Sequence, residues 1–258
     1  MTGTSFELRG ATVDWTARGG GRALDGIDLS IGAGERVAVV GPSGSGKTTL
    51  LRLLGAARVP TSGEVSIDGE HTTDASAKSL RRLRSTLGFV HQDHCLVASL
   101  RVSQNVIAGK LGQRGGFSAF RSMVLPARAD LERAHEILET LGIGDKLFQR
   151  VDRLSGGEAQ RVAIARALFQ EPRALLADEP VASVDPARSR DLVARLVETA
   201  AERGTSLVVS LHDVELARGL FPRIVGLRGG RLQFDGSPDE LRGDVLDGLY
   251  RLEDATRD

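Results

Sequence analysis

The sequence predicts an α/β fold: a mostly parallel sheet with helices on both faces, antiparallel strands ahead of it and a helical lobe inserted into it. Three observations point there. Short apolar runs alternate with helically spaced ones, the pattern of a parallel sheet with crossover helices. A glycine-rich turn joins one such run, Glu35 to Val40, to a leucine-rich helix. From about Asp93 to Arg153 strand signals give way to helical spacing before the alternation resumes.

Taken in order, Phe6 to Trp15 and Ala23 to Ile31 read as two strands joined by a loop holding Gly19-Gly20-Gly21. Val37, Val39 and Val40 carry the next strand, and Leu50, Leu51, Leu53 and Leu54 carry the helix after the turn. Gly63 to Ile67 is a strand ended by the turn pair Asp68-Gly69, and Leu87 to Val90 is another. In the lobe, Leu131, Ala134, Leu138 and Leu141 have helical spacing, and Gly115-Gly116 marks a loop tip. Ser155 opens a helix through Phe169. Ala174 to Ala177 and Leu207 to Leu211 are short buried strands. Between them Asp185-Pro186 opens a helix, with a cap residue and a first-turn proline. Ile224 to Leu227 and Leu232 to Phe234 flank Gly229-Gly230 as a hairpin.

A length of 258 residues fits one large domain or a domain with one inserted lobe. The 34 basic residues balance 34 acidic ones, which argues against a nucleic-acid partner. The single cysteine, Cys95, excludes an internal disulfide framework and fits a reducing compartment. No run approaches the ~18 apolar residues of a membrane span, and Met1 to Arg9 lacks the apolar core of a signal peptide. A cytosolic chain is expected, with any membrane role exercised through a partner.

Gly41-Pro42-Ser43-Gly44-Ser45-Gly46-Lys47-Thr48 fits the phosphate-binding loop pattern between a strand and a helix. Glycines let backbone N–H groups turn inward around anionic oxygens, and the helix adds its positive end. Lys47 supplies a point charge for the β- and γ-phosphates, the Thr48 hydroxyl suits Mg²⁺, and Thr49 belongs to the same nucleotide-binding stretch. Only four lysines stand against 30 arginines, and one of them sits where a compact charge is wanted. A second signal is Ala174 to Glu179, an apolar strand ending in two carboxylates at the ligand-binding edge of such sheets. Adjacent strand residues point to opposite faces, so the two acids need not share a job: Asp178 is assigned to the Mg²⁺ shell and Glu179 to polarising the attacking water.

Leu154-Ser155-Gly156-Gly157-Glu158 is the third signal. Read alone, Ser155 and Glu158 are a capping box. Two glycines just inside a helix start are poor for helicity, however, and good for close approach of a phosphate. With the loop and the acidic strand, this segment resembles the signature motif of ATP-binding cassette (ABC) ATPases, a resemblance that covers Phe6 to about Tyr250. It implies a P-loop NTPase core and a single ABC ATP-binding domain over 1–258. Within it, 1–92 and 154–240 form the RecA-like core with its β-subdomain, 93–153 a helical subdomain and 241–258 a C-terminal tail.

The resemblance also assigns roles. Gln92 is similar to the glutamine that senses Mg²⁺ and the γ-phosphate, and His212 to the switch histidine that holds that phosphate. Ser183-Val184-Asp185 resembles the loop that crosses between subunits, with Asp185 at the nucleotide. Trp15 lies where the family stacks an aromatic on adenine, with a buried core tryptophan as the alternative. Glu158 stands where the family commonly has glutamine, and keeps the capping box. Ser155, Gly156, Gly157 and Glu158 of one chain then complete the site of a second in a head-to-tail homodimer that buries two ATP molecules. Without a span of its own, such a chain works on separate integral-membrane permease subunits, peripherally, at the cytoplasmic face of the cell membrane. The lobe from Asp93 to about Met123, including Leu100 and Val102, is expected to form the groove for a permease helix.

Ala177 to Pro186, Ser210 to Ala217, Val102 to Gly112 and Gly226 to Arg231 are most similar to phosphonate-importer ATPases, as is the aromatic-basic set Phe117, Phe120 and Arg121. That resemblance implies an extracytoplasmic solute-binding protein in the full system. The short stretch after the final strand implies no large regulatory domain. A lipoprotein-release or efflux ATPase is the alternative. A soluble non-transport ABC protein is disfavoured by the single cassette and the absence of a long coiled coil, and a P-loop kinase or GTPase leaves Leu154 to Glu158 and His212 unexplained.

Overall fold

The computed structural model describes residues 3–14, 21–181 and 186–250, with backbone alone at 186 and 187. Trp15, Ser183, Val184 and Asp185 lie outside the described residues.

Strands β1 (Phe6–Asp14) and β2 (Arg22–Ile31) pair antiparallel, and β3 (Arg36–Val40) leads into α1 (Lys47–Leu54). Next come β4 (Ser62–Ile67), β5 (Glu70–His71), α2 (Ala77–Thr86) and β6 (Leu87–Val90). Helices α3 (Val102–Ile107), α4 (Gly116–Val124) and α5 (Arg128–Thr140) separate β6 from α6 (Gly156–Phe169). The chain closes with β7 (Ala174–Asp178), α7 (Pro186–Arg203), β8 (Ser206–Leu211), α8 (Val214–Leu220), β9 (Arg223–Arg228), β10 (Arg231–Gly236) and α9 (Gly243–Tyr250).

Among the described residues these strands form two sheets. One has the order β2-β1-β4-β5 and its pairs are antiparallel. The other has the order β10-β9-β3-β8-β7-β6 and is parallel except for the β9–β10 hairpin. Its inner strands are apolar nearly throughout because both faces are covered. The period of two divides them cleanly. Val37, Val39, Leu176 and Val208 join the core under α1 and the antiparallel sheet. Ala38, Val40, Leu175, Ala177, Leu207 and Val209 join the core under α6 and α7. Leu50, Leu51, Leu53 and Leu54 of α1 are all fully buried, each worth about 2 kcal/mol against exposure.

Residues 72–86 carry no clear periodic signal, yet α2 forms there, with Ser76 as its cap accepting from the Ser79 N–H at 3.1 Å. Helix α6 is buried along most of its length, from Val162 to Ala165 and from Ala167 to Phe169, and its residues share one core with Val106, Ala134 and Leu138 of α3 and α5. One expectation fails here. Val102 is fully buried and cannot line a docking groove; in that stretch the exposed large apolar side chains are Val97 ahead of α3 and, on α4, Phe117 at 84% and Phe120 at 69%. The reason is the short α3, whose apolar residues are taken up by α5 and α6.

Candidate functional site

The phosphate loop is wedged between two strands. A Cβ on Gly41 (φ 148°) would lie 2.1 Å from the Leu227 carbonyl oxygen, and one on Gly46 (φ 107°) 2.6 Å from that of Ala23, so no larger residue fits at either place. Gly46 caps α1 without a side-chain hydrogen bond, which leaves first-turn N–H groups for an anion. Lys47 is buried, and its Nζ donates to the carbonyls of Gly41 at 2.8 Å and Pro42 at 3.2 Å. Burial lowers its pKa, opposed by the charges of Glu179 and Asp178, so both carboxylates lie within electrostatic reach of this ammonium. Thr48 is half-buried, Ser45 and Thr49 are buried, and Ser43 and Gly44 are exposed at the loop tip.

Asp178 ends β7 and is buried at 3% exposure. Glu179 follows at φ 49°, in the left-handed region. The two-face alternation expected of these acids therefore does not apply, because the strand stops at Asp178 and the next residue turns. For a residue with a Cβ that conformation costs roughly 1–2 kcal/mol, so it needs support. Two contacts hold it. The Glu179 N–H donates to Ser210 Oγ at 2.9 Å, and Glu179 Oε1 lies 2.5 Å from His212 Nε2. Ser210 Oγ in turn donates to Asp178 Oδ1 at 2.8 Å, across the β7–β8 pair in which Asp178 faces Ser210. Asp213 caps α8, accepting from the Leu216 N–H at 3.0 Å, which leaves His212 just ahead of the helix.

Gln92 is exposed on the turn after β6, and because Val90 pairs with Ala177 it stands at the same sheet edge as the two acids. The turn is anchored from α6. Arg166 donates to the carbonyls of Cys95 at 2.5 Å and His94 at 2.9 Å, both residues having positive φ.

The Ser155 segment forms the predicted capping box in full. Ser155 Oγ accepts from the Glu158 N–H at 3.3 Å, and the Ser155 N–H donates to Glu158 Oε2 at 2.8 Å. These bonds, the backbone one first, hold the Glu158 carboxyl below its ordinary value. Ser155, Gly156, Gly157 and Glu158 line a cleft of about 790 Å³ whose other walls are the end of α5, the turn after it, Arg161 and the face of α7. Lys47, Asp178, Glu179 and His212 do not line it.

Sequence reasoning did not single out Ser210 or Arg166. Each had a signal: a polar residue inside an apolar strand beside Asp178, and an arginine on a helix otherwise buried. For Mg²⁺ the donor chemistry fits. Among the described residues no three His, Cys, Asp or Glu side chains gather as a metal cage. A nucleotide-borne Mg²⁺ needs none, being held by one or two carboxylates, a hydroxyl and the substrate's phosphates. The buried Asp178 carboxylate and Thr48 at the start of α1, which packs on β7, offer that set.

Comparison with known proteins places this geometry. The family model described as ABC transporter matches residues 24–182. The phosphonates import ATP-binding protein PhnC 1 of Pseudomonas syringae pv. syringae is 46% identical over 95% of this chain and 92% of its own length. Among solved structures, the dimeric bacterial ABC transporter cassette MJ0796 superimposes with a TM-score of 0.81 at 33% identity, covering 92% of this chain and 99% of that one. Its dimeric post-hydrolysis state bound to ADP and Pi gives 0.76 at 32% identity with the same coverage. Among the described residues no helix is long and apolar enough to cross a membrane. The chain belongs to the ABC transporter family, as one of its ATP-binding, ATP-hydrolysing subunits.

Proposed function

We propose that two copies of this chain, head to tail around two ATP molecules, power import of a phosphonate or related small solute through separate permease subunits. One observation supports the dimer: the cleft lined by Ser155 to Glu158 includes none of Lys47, Asp178, Glu179 and His212, as expected if a second copy brings the other half of each site. The import assignment draws on the printed name of the Pseudomonas relative and on the stretches resembling phosphonate-importer ATPases.

In this reading Lys47 exchanges its two loop carbonyls for β- and γ-phosphate oxygens, and the N–H groups of Ser43 to Thr48 surround the same anion. Thr48, Asp178 and Gln92 would hold Mg²⁺, which when bound would supply positive charge against that building on the phosphates. Glu179 takes the proton of the attacking water, and His212, 2.5 Å away, keeps the carboxylate aimed and meets the γ-phosphate. Ser155 and Gly157 of the partner copy close over that phosphate. The family resemblance assigns Trp15 to the adenine and Asp185 to the loop between subunits. Residues 93–153 act as a helical subdomain that engages the permease at the membrane's cytoplasmic face, and an extracytoplasmic binding protein delivers the solute.

Glu179→Gln tests the core of this reading. It keeps the shape and loses the base, so turnover falls by about a hundredfold or more while ATP binding persists. Size-exclusion chromatography with ATP then shows a trapped dimer. Parent-level hydrolysis in this variant would overturn the base assignment. Uptake of a phosphonate panel by cells lacking the chain checks the solute.

A further inference from the structure

We infer that Ser210 is a positioning residue for hydrolysis, setting the direction of both acids with one hydroxyl. Three observations carry this. Ser210 is fully buried on β8 between apolar neighbours, a place where an uncompensated hydroxyl is costly. Its hydroxyl has one donor and uses it on Asp178 Oδ1 at 2.8 Å, while its lone pair receives the Glu179 N–H at 2.9 Å. And Glu179 holds φ 49°, a conformation that persists only where surroundings over-determine it.

The consequence is directional. In an extended continuation of β7, Glu179 would turn away from the face that Asp178 occupies. Anchoring its N–H to the neighbouring strand fixes the peptide between the two acids and sends the Glu179 side chain to His212. The donor on Oδ1 also fixes the rotation of the Asp178 carboxylate about its last bond. Ser210 touches neither substrate nor reacting atoms; it acts through the two acids. This deepens the proposed function and rests on Glu179 being the base there.

The test compares Ser210→Ala, Ser210→Thr and Ser210→Val. Ala removes the relay, Thr keeps the hydroxyl, and Val matches Thr in shape without it. In Ser210→Ala, kcat falls about tenfold with the KM for ATP changed less than about twofold. In the nucleotide-free chain the Glu179 amide exchanges with solvent at least about tenfold faster by NMR, while amides in the core of β3 stay protected. Thr restores both readouts and Val neither. Unchanged turnover, unchanged exchange at Glu179, or equal impairment in Thr and Val would each overturn the inference, the last by showing that shape alone matters. A loss that appears only with a general fall in protection across β3 overturns it too, marking Ser210 as a packing residue. Glu179→Gln keeps the two failures apart: if it still turns over ATP, the base assignment falls, whereas the exchange result at Glu179 judges Ser210 independently.

Discussion

The phosphate loop and the Ser155 segment are both helix starts rich in glycine, yet they are finished differently. The loop is closed in on itself. Lys47 and Ser45 are buried, Gly41 and Gly46 admit no side chain, and the α1 start carries no side-chain cap. The Ser155 segment lies at the surface with its own donors already answered by Ser155 and Glu158. A helix start left open in a buried cradle suits a ligand that it must hold alone. One capped on itself at the surface suits a ligand brought to it already held by something else. The difference teaches that one chain carries two unlike glycine-rich helix starts; in the proposed dimer each is half of a site, and substitutions in the two then fail in distinct ways.

The largest effect is expected at Lys47. Lys47→Ala removes the buried cation of the cradle, and both ATP affinity and turnover fall, turnover by about a hundredfold or more. Titration with a fluorescent ATP analogue and a phosphate-release assay check it; intact affinity would break the comparison at its stronger end. Gly157→Asp comes next. A carboxylate in the first turn suits the helix dipole, so the fold is kept, but it meets the partner's phosphates with like charge. Turnover falls about tenfold or more while ATP binding at dilution, where the chain is alone, changes less than about twofold. Equal losses in both would show that the segment serves its own chain's nucleotide.

The smallest effect belongs to Glu158→Gln. Glutamine keeps the capping geometry, so turnover stays within about twofold of the parent. Its signature is in pH. The Glu158 carboxyl is held below its ordinary value of 4.5 in the folded chain, so its contribution is complete above that value and is lost as pH falls through the folded-state pKa. The Tm difference between parent and Glu158→Gln therefore closes as pH drops below 4.5, which calorimetry across that range would read. A gap that stays constant would mean the ionised carboxylate adds nothing to the cap.

Much of this contrast was legible in the order of residues. The glycine-rich turn, the capping box and the apolar strands are local patterns, set by backbone freedom, side-chain reach over three residues and a period of two. They name Lys47, Ser155, Glu158 and Asp178 without any knowledge of what packs beside them. The helix at 77–86 was not legible, because its outward residues are mostly charged and only Leu83 is buried. Val102 read as available surface because its burial depends on α5 and α6, whose packing its own neighbours do not announce.

The sequence by itself determined the core strands, the helix starts at Lys47 and Ser155 and the identities of the charged groups, since each depends on a few consecutive residues. Only the tertiary structure decided where those groups aim. The turn of Glu179 toward His212, the hydroxyl of Ser210 spanning Asp178 and Glu179, and the separation of Ser155 from Lys47 all arise between elements distant along the chain. A backbone torsion in the left-handed region is held by whatever strand lies alongside, and that neighbour is set by how the sheet is assembled.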